Sequence, residues 1–157
     1  MKTMTQAPMI KLVLFLMALL LTSACSNART SSGVQVELSS QGDQLAFNQT
    51  MVKANAGEEV TVVFKNNSKA LHHNWVLVKG DDSVAKQVSE ETLTAGVDQQ
   101  MLPTDQTNIL AHTNLLKSGE IAELTFTAPT DPGDYTYLCT FPGHYLVGMK
   151  GTLVVEP

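Results

Sequence analysis

The chain has 157 residues, 16% of them charged, and a net charge of −5 at pH 7. That length suits one domain, and an acidic balance argues against nucleic acid as a partner. Two cysteines, Cys25 and Cys139, are too few for a disulfide framework, and neither G-x-S-x-G nor H-E-x-x-H occurs, so hydrolase signatures are absent.

In chain order, Lys2 and Lys11 precede an apolar run from Leu12 to Leu21, and Thr22-Ser23-Ala24 follows. This is the layout of an export signal over residues 1–24, with an apolar run too short for a span of about 20 residues. Thr22-Ser23-Ala24-Cys25 resembles a bacterial lipobox, with Thr22 where such motifs more often carry Leu. The expectation is that Cys25 is lipidated and begins the mature chain; an ordinary secretory signal with an incidental Cys is the alternative. Residues 25–33 then form a small, polar, flexible tether. The mature domain is expected outside the cytoplasm, on the periplasmic or cell-surface side, anchored to a membrane by lipid. Removing the leader leaves eight basic and fifteen acidic residues, a net charge of −7. With Cys25 lipidated, Cys139 has no disulfide partner, and a metal would occupy its thiol.

From residue 34 the sequence reads mainly as β. Val34 to Leu38 alternates, Ser39 to Asp43 turns, and Leu45 to Ala54 is a weaker run. Glu59 to Lys65 and His73 to Val78 are strong strand patterns, separated by Asn66-Asn67-Ser68. Residues 83–100 favour helix instead, with Asp82 or Ser83 as N-cap, a stripe of Val84, Val88 and Leu93, and Gly96 as a stop. Extended structure resumes near Asn108 to His112, then at Glu120 to Thr127, Asp134 to Thr140 and Gly151 to Val155. Seven to eight strands with a helical insertion predict an all-β sandwich over 34–157.

The last two strands bracket Cys139, His144 and Met149, spaced C-x4-H-x4-M. Thiolate, imidazole and thioether together suit one copper ion cycling between Cu(I) and Cu(II), and trigonal electron-transfer sites add a second His. Four histidines exist: His72, His73, His112 and His144. Strand alternation puts His73 on the face of Trp75 and Leu77, which favours it over His72, though strand ends twist. His112 reads as a surface or outer-sphere residue, and Met51 and Met101 as packing or surface. Multicopper oxidases need a His on each side of the loop Cys; here the neighbours are Leu138 and Thr140.

Cys139-Thr140-Phe141-Pro142-Gly143-His144 and His73-Asn74-Trp75-Val76-Leu77 resemble the cupredoxins, specifically azurin-like blue-copper proteins. Ile109 to Thr113, Gly119-Glu120 and Leu124-Thr125-Phe126 extend the likeness over nearly the whole mature domain. The x4 spacing before Met149 and the missing disulfide resemble the auracyanins within that group. The resemblance implies a Greek-key sandwich holding one type 1 copper on His73, Cys139, His144 and Met149. It implies that Asn74 braces the ligand loop and that Phe141 packs beside the metal. Where azurin has a Gly before its ligand His this chain has His72, so a fifth, carbonyl contact is not carried over. The implied function is a monomeric electron carrier rather than an enzyme. It would dock cytochromes or a membrane oxidoreductase complex through an apolar patch with Leu71, Phe141 and Leu146. Copper storage or delivery on the same fold is the other reading, without the Met-rich or His-rich tracts that such proteins usually expose.

Overall fold

The computed structural model describes residues 33–157. The leader, Cys25 and the tether up to residue 32 lie outside the described residues. Nine strands form among them, rather than seven or eight: β1 (Val34–Gln41), β2 (Gln44–Phe47), β3 (Met51–Asn55), β4 (Glu59–Lys65), β5 (Val76–Val78), β6 (Ile109–His112), β7 (Ile121–Thr127), β8 (Gly133–Leu138) and β9 (Lys150–Glu156). One helix, α1 (Asp82–Glu91), interrupts them. The strands make two sheets, ordered β2-β1-β4-β7 and β3-β9-β8-β5-β6.

The extra strand comes from the weak run at Leu45 to Ala54, which divides between the sheets. β2 pairs antiparallel with β1, whereas β3 pairs parallel with β9. At the crossing, Asn48 N donates to Ser39 O at 2.8 Å, and the Asn48 side chain accepts from Ser39 N at 2.7 Å. Those bonds satisfy backbone groups that neither ladder can reach.

Between the sheets, alternating residues meet in a core that includes Leu38, Phe47, Val62, Phe64, Trp75, Leu77, Tyr137 and Leu153. Phe47 packs edge-on against Phe64 and Tyr137, at centroid distances of 5.7 and 5.4 Å. Tyr137 Oη donates to Gln49 O at 2.7 Å. Its ring covers Gly151, its cross-strand partner, so closely that a Cβ there would collide with it. That close approach requires glycine.

The expected strand from His73 to Val78 is regular only at β5; His73 makes an isolated bridge with Leu116. All six residues are nonetheless buried. Alternation explains it: Trp75 and Leu77 face the main core, while Val76 and Val78 face a smaller cluster with Ala85, Val88, Leu102, Leu138 and Tyr145. α1 therefore roofs the outer face of the second sheet.

The helical insertion is shorter than expected. Asp81, not Asp82 or Ser83, is the N-cap, accepting from Ser83 N at 2.9 Å. The helix ends at Glu91, and single turns at Thr92–Thr94 and Val97–Gln99 follow. Thr92 stops it: its hydroxyl is shared between Ser89 O at 2.8 Å and Thr140 O at 3.2 Å, which ties the helix end to the ligand loop. The buried stripe is Ala85 and Val88, whereas Leu93 lies past the helix and is 60% exposed.

Candidate metal centre

β8 ends one residue before Cys139, and its ladder with β9 closes the neck of the ligand loop. Leu138 pairs with Lys150, and Cys139 N donates to Met149 O at 3.0 Å. Inside the loop, His144 N donates to Phe141 O and Met149 N to His144 O, both at 3.0 Å. Gly143 and Gly148 adopt φ of 84° and 104°, left-handed values that fold eleven residues into successive tight turns.

His73 arrives from the other direction. The Asn66 side chain donates to Leu71 O at 2.8 Å and Leu116 O at 3.0 Å. The Asp43 carboxylate accepts from Ser68 Oγ at 2.6 Å and Lys69 N at 2.7 Å, which holds its pKa below the ordinary range. These bonds shape the turn that delivers His72 and His73.

The two approaches converge. Cys139 Sγ lies 3.4 Å from His144 Nδ1 and 3.8 Å from His73 Nδ1. The three potential donor atoms all lie within 4.8 Å of one another. The imidazole rings are 4.9 Å apart and tilted by 45°. His73, Cys139 and Met149 are fully buried, and His144 is 4% exposed. His72 is not in the group; it is half-buried and stacks on Phe141 at 6.2 Å. Phe141 also packs against the His144 ring, at 4.8 Å. His112 lies apart, its Nδ1 against Thr113 O at 3.2 Å. Of the expected patch, Leu146 is 73% exposed, while Leu71 and Phe141 are half-buried.

Burial governs the charges. It pushes the Cys139 thiol up to about 12. Burial likewise holds His144 down to about 4, and His73 also to about 4, with the neighbouring His144 adding to the depression. All three groups are thus neutral near pH 7, and no carboxylate belongs to the cluster. Two neutral imidazoles offer lone pairs, and a cation among them would displace the thiol proton. A sulfur-nitrogen set without hard oxygen donors fits copper well.

Asn74 bridges the two approaches. Its Oδ1 accepts from Thr140 N at 2.9 Å, and its Nδ2 donates to Thr140 Oγ1 at 2.7 Å and Gln100 O at 3.1 Å. Thr140 Oγ1 in turn donates to Met101 O at 2.5 Å, and Gln100 Oε1 accepts from Leu115 N at 2.8 Å. Gln100 and Met101 are both left-handed, with φ of 58° and 54°, an unusual pair for non-glycine residues. The bonds to Asn74 and Thr140 hold that strain in place. Asn74 was expected through the azurin-like resemblance. Thr92, Gln100 and Thr140 were not read as part of the site, although a polar residue directly after Cys139 was a signal available for Thr140.

A profile described as copper binding proteins, plastocyanin/azurin family, matches residues 34–156. Auracyanin-A of Chloroflexus aurantiacus is 45% identical over 126 residues, covering 80% of this chain and 76% of that protein. Its solved structure, described as that of a "blue" copper protein, matches with a TM-score of 0.75 over 79% of this chain and 99% of that one. Dithionite-reduced auracyanin from Roseiflexus castenholzii gives the same TM-score at 46% identity, over 78% and 97% of the two chains. Azurin of Bordetella pertussis is 39% identical over 118 residues, covering 71% of this chain and 77% of that one. The chain belongs to the plastocyanin/azurin family of copper-binding proteins, the cupredoxins, and its buried His-Cys-His group with Met149 beside it is a site for one copper ion.

Proposed function

We propose that this protein is a blue-copper electron carrier in which His73, Cys139, His144 and Met149 are the metal ligands. The observation that carries the reading is the sealed, carboxylate-free convergence of His73, Cys139 and His144 on one point, braced by Asn74 and Thr140. A copper ion held there supplies a one-electron Cu(I)/Cu(II) couple. The protein's task is then to keep its donors still. His73 is fixed by the bridge to Leu116, Cys139 by its bond to Met149 O, and the loop by its internal turns. Burial excludes water from the donors, so no position is offered to a substrate. That arrangement suits electron transfer rather than catalysis, as do the non-histidine neighbours Leu138 and Thr140.

The chain's entry point adds a directional argument. β1 starts beside Val60 and runs parallel to β4, whose far end leads through Asn66 to the histidine turn. Val34 therefore lies at the pole opposite the copper site. A lipid on Cys25 would hold that pole toward the membrane. The redox face would point outward, toward cytochromes or the projecting part of a membrane oxidoreductase. Leu146 and Val147, 73% and 65% exposed, would supply apolar contact on an acidic domain.

Loading with Cu(II) should give an intense thiolate-to-copper absorption near ~600 nm, and Cys139→Ser should abolish it. A colourless Cu(II) form of the native protein would overturn the electron-carrier reading and leave storage or delivery. Cys25→Ser should release the protein from the membrane; unchanged retention would overturn the anchor.

A further inference from the structure

Each of the four residues of the copper site is followed by a residue whose side chain makes a polar contact. Asn74 follows His73 and Thr140 follows Cys139, and these two bond to each other. Tyr145 follows His144 and Lys150 follows Met149, and these two meet on one carboxylate, that of Asp82. Tyr145 Oη is shared between Asp82 Oδ1 at 3.0 Å and Asp82 O at 3.2 Å. Lys150 Nζ donates to Asp82 Oδ1 at 2.7 Å and Oδ2 at 2.8 Å, and it sits 4.9 Å above the centre of the Tyr145 ring. Though in a surface loop beside exposed Leu146 and Val147, Tyr145 is only 9% exposed, its ring packed in the cluster beneath α1.

We propose that Asp82, at the start of the helical insertion, is a positioning residue for the second half of the copper site. Through Tyr145 and Lys150 it holds the backbone of His144 and Met149 at a fixed spacing. The insertion thereby acts on the site from outside the sandwich. Asp82 sits in the first turn of α1, where the helix favours an anion, so the carboxylate suits both its helix and the Lys150 ammonium. Because Tyr145 and Lys150 share that carboxylate, its loss frees Lys150 and leaves Tyr145 only the longer bond to Asp82 O, so both loop ends loosen together. The intraloop bond from Met149 N to His144 O, which spans the residues between the clip's two ends, then opens more often. The inference rests on the copper reading for its effect on the metal and on geometry alone for its effect on the loop.

The test compares Asp82→Ala with Glu90→Gln, which removes one charge from the same helix without breaking a bond to the loop: the Glu90 side chain pairs with Lys86 and lies beside Tyr145. In copper-free protein, amide exchange at Met149 should be about threefold faster in Asp82→Ala, the size expected for losing a solvent-exposed charged contact, and unchanged in Glu90→Gln. Tyr145→Phe should show part of the same acceleration. Asp82→Asn, which keeps an acceptor for Tyr145, should rescue part of it. In copper-loaded protein, Asp82→Ala should alter the relative intensities of the charge-transfer bands and the copper hyperfine splitting, with stoichiometry retained. Equal exchange in Asp82→Ala and Glu90→Gln, with identical spectra, would overturn the proposal. If Asp82→Ala does not fold, Tyr145→Phe decides: an unaltered Met149 amide overturns the proposal. A native protein without the blue band would sink the blue-copper reading, while amide exchange would still judge the clip.

Discussion

Two polar clamps grip the same loop, and they differ in their access to water. Asn74 and Thr140 are 0% and 1% exposed, and their bonds reach the backbone of half-buried Gln100 and buried Met101. Asp82 and Lys150 keep 57% and 38% of their side chains exposed. In the sealed clamp, a missing partner leaves a donor or acceptor with nothing to bond, so the full desolvation cost appears. In the open clamp, water substitutes and salt screens, so the same kind of contact contributes less. The sealed pair defines where His73 and Cys139 lie. The open triad limits how far His144 and Met149 wander.

The largest expected effect tests the sealed side. Asn74→Leu keeps side-chain bulk but strands Thr140 N in a dry site and takes a donor from Gln100 O. It should destabilise copper-free protein by about 3 kcal/mol in urea unfolding. A loss below about 1 kcal/mol would mean that water reaches Thr140 and that the clamps are alike.

Acid separates the two environments next. The imidazoles of His73 and His144 are held at about 4, below their ordinary 6.5. Their contribution to the stability of the copper-free protein is complete above pH 6.5 and is lost as pH falls through about 4. Chemical-denaturation midpoints should therefore decline across that window. A flat midpoint from pH 6.5 to 4.5 would contradict the dry environment assigned to both rings.

Lys150→Met should cost less than about 1 kcal/mol at low salt, and the difference from the native protein should shrink as salt is raised. A cost that persists at high salt would move this triad into the sealed class. The smallest effect is expected at Asp43, whose lowered carboxylate stabilises the histidine turn above its unfolded pKa and loses that role as pH falls through its folded value. Asp43→Asn should lower stability slightly near neutral pH, and its difference from the native protein should vanish as pH falls through the folded value; a difference that persists in stronger acid would point to another role.

Legibility followed distance along the chain. Cys139, His144 and Met149 were readable because one turn-rich loop carries all three between two alternating strands. His73 was separable from His72 because alternation tied it to Trp75 and Leu77, and those two do share its core. Leu93 was misread because a helical stripe was extended beyond Thr92, whose hydroxyl bonds the distant carbonyl of Thr140. The split of residues 45–54 was hidden because local pattern does not say which sheet a strand joins.

The amino-acid sequence by itself determined the donor chemistry, the strand character of the domain and the face on which each strand residue lies, since periodicity and spacing act over a few residues. Only the tertiary structure decided what stands opposite each face. Asp82 is 63 residues from Tyr145 and 68 from Lys150, and Asn74 is 66 from Thr140. No local signal links such residues. Their meeting follows from the packing of α1 on the second sheet and from the burial of polar groups that must find partners there.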